Sequence, residues 1–127
     1  MPQPSKYDIR VNARAAYLAD QSDEAAGRYV FAYTITITNA GSVPAQLISR
    51  HWIITDANEK TQEVRGLGVV GEQPLLEPQQ SFEYTSGTAI ATGVGTMRGS
   101  YRMLAADGHE FDAAIPEFML SIPRVLH

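Results

Sequence analysis

Residues Arg65-Gly66-Leu67-Gly68-Val69-Val70-Gly71-Glu72-Gln73-Pro74 contain a G-x-G-x-x-G pattern. In dinucleotide-binding folds that spacing lets backbone N–H groups cradle a pyrophosphate. The chemistry requires a helix directly after the last glycine, because the helix N-terminus supplies unpaired N–H groups and a partial positive charge. Here Gly71 is followed by Glu72-Gln73-Pro74-Leu75-Leu76-Glu77-Pro78. Pro74 is tolerable in a first turn, but Pro78 breaks the next at a cost of about 3 kcal/mol. The acidic ribose-binding residue due about 20 positions on is missing, with Ile90-Ala91-Thr92 in that region. The glycines therefore read first as residues of a turn or bulge. A narrower anion-binding reading stays open, since successive N–H groups of a glycine loop form a nest without any helix. Its candidates are Arg65, Gly66, Gly68, Gly71, Glu72, Gln73 and Pro74, with pyrophosphate or a nucleotide as ligand and Arg65 assisting if it points inward.

Other reactive residue types are scattered. Arg98 and Arg102 share one face of a strand at spacing four, a pair that suits an anionic group or a solvated face. His51, His109 and His127 have no G-x-S-x-G elbow or other partner motif beside them, so no nucleophile–base–orienter set and no catalytic residue is assigned. Asp107, His109, Glu110 and Asp112 are the tightest cluster of ligand types. Strand parity separates them and Asp107 suits a turn, so no metal site and no cofactor is expected. No cysteine is present, which excludes disulfides and thiolate chemistry and suits a reducing cytoplasm.

The elements that must position these residues are strands. In Val30–Thr38, Phe31, Tyr33, Ile35 and Ile37 alternate with Ala32, Thr34, Thr36 and Thr38, the period of a half-buried strand. Met97, Gly99, Tyr101 and Met103 alternate likewise with Arg98, Ser100 and Arg102. Gln46–Thr55 is apolar at both parities and reads as a central strand with Trp52 and Ile54 on the core face. Asn39-Ala40-Gly41-Ser42 and Asp56-Ala57-Asn58-Glu59 are turns, and Asp107-Gly108 signals a tight hairpin. Phe111, Ala113 and Ile115 share one parity but Phe118, Leu120 and Ile122 the other, so a bulge or bend is expected at Pro116. Residues 20–27 read as a loop with at most one helical turn. Seven or more short strands with this turn spacing predict an all-β, antiparallel immunoglobulin-like or fibronectin type III-like β-sandwich. The 127 residues make a single domain, with 1–6 as a flexible N-terminus.

The order of short motifs resembles the ApaG family from about Tyr7 to Pro123. Arg50, Trp52, Ile54 and Asp56 form R-x-W-x-I-x-D, followed by Val64–Pro74, Leu76-Glu77-Pro78, Phe82–Gly87, Gly95–Tyr101 and Ile115–Leu120. The resemblance implies a fibronectin type III-like sandwich in a bacterial cytoplasmic protein linked to cobalt resistance and magnesium efflux. ApaG-like domains in larger eukaryotic proteins, F-box proteins and a polymerase-interacting protein among them, look like interaction modules, and the family implies no particular reaction.

Fourteen acidic against ten basic residues give a formal charge of −4, which disfavours nucleic acid as a partner. No stretch approaches the roughly 20 apolar residues of a membrane span. A cytoplasmic, non-enzymatic protein-interaction module is the expectation. Its docking surface is the glycine loop with Arg50 and Tyr84 nearby, and pyrophosphate or nucleotide binding is the alternative. The pattern fixes no oligomeric state.

Overall fold

The computed structural model describes residues 5–123, so residues 1–4 of the segment expected to be flexible, and His127, lie outside the described residues. Phe31, Tyr33, Ile35 and Ile37 are buried, while the residues between them are half-exposed. Their strand, β2 (Tyr29–Asn39), pairs antiparallel with β1 (Ile9–Tyr17) on one side and β6 (Ser81–Ile90) on the other. The second sheet runs β4 (Thr61–Leu67), β3 (Ala45–Asp56), β7 (Val94–Ala105), β8 (Glu110–Ser121), and the two-residue β5 (Leu75–Leu76) also pairs with β3. The two antiparallel layers make the expected fibronectin type III-like β-sandwich. Its core is sealed by Phe31, Ile35, Ile37, Leu47, Met97, Tyr101, Met103 and Leu120, all fully buried, and burying each large apolar side chain contributes about 1.5–3 kcal/mol.

Two bulges account for the mixed parities. Between Leu47 and Ser49 the β3–β7 register shifts by one, leaving Ile48 as an extra residue on β3. Inward positions on β3 thus change from odd to even, so Leu47, Trp52 and Ile54 all reach the core. Arg50, two residues before Trp52, is carried onto that same inner face. On β8, Met97 opposes Phe118 but Gly99 opposes Ile115, which places the extra residue at Pro116–Glu117 as expected.

The turns also match their chemistry. Asp107 Oδ1 accepts from the His109 N–H at 3.1 Å, and its other oxygen accepts from the Tyr7 hydroxyl at 2.5 Å. Residues 19–26 hold two short 3₁₀ turns, Ala19–Gln21 and Glu24–Ala26, one more than expected. The second is capped by Asp23 and closed by left-handed Gly27.

The margins of the sandwich differ. At one, β1 packs against β8. At the other, β4 and β6 are the outer strands of their sheets, and cavities open along that side.

Candidate functional site

Residues 65–74 lie at this open margin, running from the last three residues of β4 to the start of β5. No helix follows the glycines. Instead Val69 and Glu72 exchange backbone hydrogen bonds, 2.8 Å from the Val69 N–H and 2.9 Å from the Glu72 N–H. The two residues between them, Val70 and Gly71, have φ of 44° and 81°. Positive φ at both central positions is the pattern of a type I′ hairpin turn, whose twist matches that of flanking strands. Gly68 also has positive φ, 61°, and its N–H donates to the Ile48 carbonyl at 2.8 Å. The bulge on β3 therefore presents the carbonyl that anchors the glycine hairpin, and Gln73 Nε2 donates to the same oxygen at 2.9 Å.

Valine is a poor choice at φ 44°, because its branched Cβ crowds the backbone there. Val70 is exposed and loses little packing if replaced. Val70→Asn, the residue that type I′ turns favour at this position, is expected to raise stability by about 1 kcal/mol, read as a higher urea midpoint at unchanged m-value.

Arg50 fastens the same hairpin from the inner face. Its Nη1 donates to the carbonyls of Leu67 and Gly68, each at 2.9 Å. To reach them the guanidinium crosses β4 over Gly66, where an added Cβ would lie 2.7 Å from the guanidinium carbon. Gly66 thus leaves room for the guanidinium to lie across the strand, and a side chain there would displace it from the two carbonyls. No carboxylate lies within ion-pairing distance of Arg50 among the described residues.

Around Arg50 is a cavity of about 290 Å³ lined by Tyr33, Trp52, Val69, Val70, Tyr84 and Ser86, with Leu67 and Gly71 at its border. Tyr84 and Tyr101 share a hydroxyl–hydroxyl bond of 2.5 Å behind it. Burial pushes the Tyr84 hydroxyl up to about 12, with the Tyr101 hydrogen bond opposing the shift. The Tyr101 hydroxyl is raised further, by burial first and then by charge on Tyr84. A phenol raised above its ordinary value near 10 stabilises the fold below that pH. The contribution is lost as pH rises through the folded value. The urea midpoint is therefore expected to hold steady from pH 7 to about 9.5 and to fall steeply above, and Tyr101→Phe to remove only about half of that fall, since burial keeps Tyr84 raised without its partner.

The remaining predicted residues lie elsewhere. Arg65 points to the outer face, 72 % exposed and 3.7 Å from Glu63, so it does not assist the hairpin. Arg98 and Arg102 share that outer face, where Arg102 pairs with Asp112 at 3.2 Å and Glu110 at 3.8 Å. Glu72, Gln73 and Pro74 form the return of the hairpin, and the Pro74 carbonyl accepts from the Leu47 N–H at 3.0 Å. Arg50, Tyr84 and the hairpin residues Gly66, Gly68 and Gly71 are brought together. His51 is opposite Ser100 and bonds Glu63 Oε1 at 2.8 Å, but among the described residues no hydroxyl is bonded to its ring. His109 stacks on Tyr7 at 4.2 Å between ring centroids. Among the described residues no group of three or more His, Asp or Glu is placed to hold a metal ion.

Two features escaped the sequence reading. One is the meeting of Tyr33, Trp52, Ser86 and Tyr101 at Arg50: alternation placed Tyr33, Trp52 and Tyr101 on core faces, but only the shared parity of Arg50 and Trp52 tied any of them to the arginine. The other is the edge strand β4, whose sequence TQEVRGL shows no clean alternation and is exposed almost throughout. In β4 the even residues face β3 through ladder hydrogen bonds, as the Asp56 N–H bond to Lys60 and the Gly68 N–H bond to Ile48 show at either end. Thr61, Glu63, Arg65 and Leu67 consequently aim their backbone groups at the free edge, and the Leu67 carbonyl there is the one taken by Arg50. Val64, Leu67, Val70 and Leu75, all exposed, lie on β4, the hairpin and β5.

Residues 19–105 match the family model described as the ApaG domain. The chain is 65 % identical to Protein ApaG of Thiobacillus denitrificans over 127 residues, covering the whole of both chains. It is 65 % identical to Protein ApaG of Nitrosomonas eutropha over the same span, again with full coverage of both. A crystal structure of the putative ApaA protein from Bordetella pertussis superposes with a TM-score of 0.93 at 54 % identity, covering 97 % of this chain and 100 % of that one.

Proposed function

The chain belongs to the ApaG domain family, and from that premise we propose that it is a non-enzymatic interaction domain which receives an extended segment of a partner protein along β4. The observation that carries this reading is the free edge. The backbone groups of Thr61, Glu63 and Arg65 have no strand beyond them, and exposed apolar side chains lie beside them. An added strand would gain main-chain hydrogen bonds there, with side-chain contacts giving selectivity. In this reading the link to cobalt and magnesium that the family suggests is exercised through the partner, in the cytoplasm. Nucleotide or pyrophosphate capture on the glycine backbone has less support. Gly68, Val69 and Glu72 already spend their N–H groups within the protein, and of the turn only Val70 and Gly71 keep theirs free among the described residues.

Arg65→Pro tests the reading, because it removes an outward N–H without touching the β3–β4 ladder. Partners retained from a bacterial lysate by the wild-type chain should be lost by this variant. In the purified complex, exchange of the Thr61, Glu63 and Arg65 amides should slow. A partner held equally by both chains, with those amides unchanged, would sink the proposal.

A further inference from the structure

The cavity at Arg50 has a chemistry that the strand-edge reading does not use. It holds one cation, and no aspartate or glutamate lines it. Arg50 spends Nη1 on two carbonyls, which leaves Nη2 and Nε without a partner among the described residues. The other polar side chains that line it, those of Tyr33, Trp52, Tyr84 and Ser86, can all donate a hydrogen bond. Trp52 is 2 % exposed and Tyr33 7 % exposed, yet neither the indole N–H nor the Tyr33 hydroxyl has a hydrogen-bond partner among the described residues. Each atom keeps some solvent-accessible surface, since no fully enclosed side-chain nitrogen or oxygen among the described residues lacks a partner, and both residues line the cavity. Donors with no partner inside the protein and some exposed surface are available to an acceptor from outside it. Tyr84 and Tyr101 share one bond between two hydroxyls, so the accepting member keeps its own proton to donate. Ser86 adds another hydroxyl.

The second cavity of this margin differs. It is about 340 Å³ and is lined by Asp56 as well as Arg28 and Lys60, so a carboxylate stands among its two cations, whereas none stands beside Arg50.

We propose that the Arg50 cavity is an oxyanion site, in which the guanidinium supplies the charge and the Tyr33, Tyr84 and Trp52 donors orient a bound carboxylate or phosphate group. A planar guanidinium already held in place by two carbonyls loses little freedom on binding, and charge-assisted bonds to an oxyanion are the stronger class. The hairpin then serves the anion indirectly. Gly66 lets Arg50 cross the strand, and the carbonyls of Leu67 and Gly68 aim it. This site stands on the cavity alone and does not depend on a strand docking to β4.

Trp52 is the only tryptophan in the chain, so its fluorescence reports on the cavity. Inorganic phosphate and acetate are titrated at constant ionic strength with chloride as the balance. The proposal expects a saturable change for at least one of them, with Kd on the order of 0.1–10 mM. Affinity should fall about tenfold or more in Arg50→Gln and roughly three- to tenfold in Tyr33→Phe. Tyr33→Phe keeps the core aromatic and carries the test should Arg50→Gln fail to fold. A glutamate-containing peptide separates two sources of the anion. Tighter binding than acetate assigns it to a partner's side chain, and equal or weaker binding assigns it to a free small anion. No saturable change with phosphate, acetate or peptide, or equal affinity in the wild type and Tyr33→Phe, overturns the proposal.

Discussion

Gly68→Ala is expected to lower stability by about 3–4 kcal/mol, while Gly71→Ala, three residues away, costs only about 1. Both glycines have positive φ, 61° and 81°, so both substitutions carry the strain of a side chain in the left-handed region. They differ in what a Cβ would meet. At Gly68 it would fall against the Glu72 carbonyl, which is backbone, fixed by its bond from the Val69 N–H and unable to step aside. At Gly71 nothing lies within 4 Å. Urea denaturation of the two variants measures the contrast. Equal losses would mean that conformational strain alone governs the loop, and the closed hairpin described above would be wrong.

Arg50→Ala is the second large effect, expected at about 2–3 kcal/mol from the loss of two charge-assisted bonds to the hairpin carbonyls. The Leu67 carbonyl is left at the strand edge, where water satisfies it, so the cost stays below that of a fully buried orphan. Arg50→Lys should recover only part, because an ammonium cannot reproduce a flat fork lying across Gly66. Arg65→Ala, fifteen residues on and 72 % exposed, should change stability by no more than about 0.5 kcal/mol. The comparison separates the two arginines that flank the motif in space. Thermal or urea unfolding of the four proteins suffices, and a larger loss at Arg65 than at Arg50 would reverse the assignment.

The alternation of Phe31, Tyr33, Ile35 and Ile37 made the sandwich legible, since a period of two on a chain without amphipathic helices leaves few other layer arrangements. Pro116 marked its bulge because a residue with no N–H cannot sit in a regular ladder. The bulge at Ile48 carries no such mark. Isoleucine fits any strand, and only the register against β7 reveals the extra residue. That hidden bulge decides the site, for it places Arg50 on the inner face and offers the Ile48 carbonyl to Gly68. The glycine motif was half legible: the prolines excluded a helix, but the type I′ turn was masked by a valine where asparagine or glycine is favoured. Arg65 stood out because it abuts the motif in sequence. Arg50, distant in sequence and adjacent in space, holds it. Edge strand β4 was hidden because, with little burial on either face, it has no reason to alternate.

Amide hydrogen exchange across residues 61–73 tests the central claim that the glycine segment is a closed hairpin beside a free strand edge. The Gly68, Val69 and Glu72 amides should be protected by about 100-fold or more, while Glu63, Arg65, Val70 and Gly71 exchange at close to the rate of an unstructured chain. Glu63 and Arg65 protected as strongly as Val64, or Gly68 and Val69 exchanging as fast as Gly71, would contradict the account.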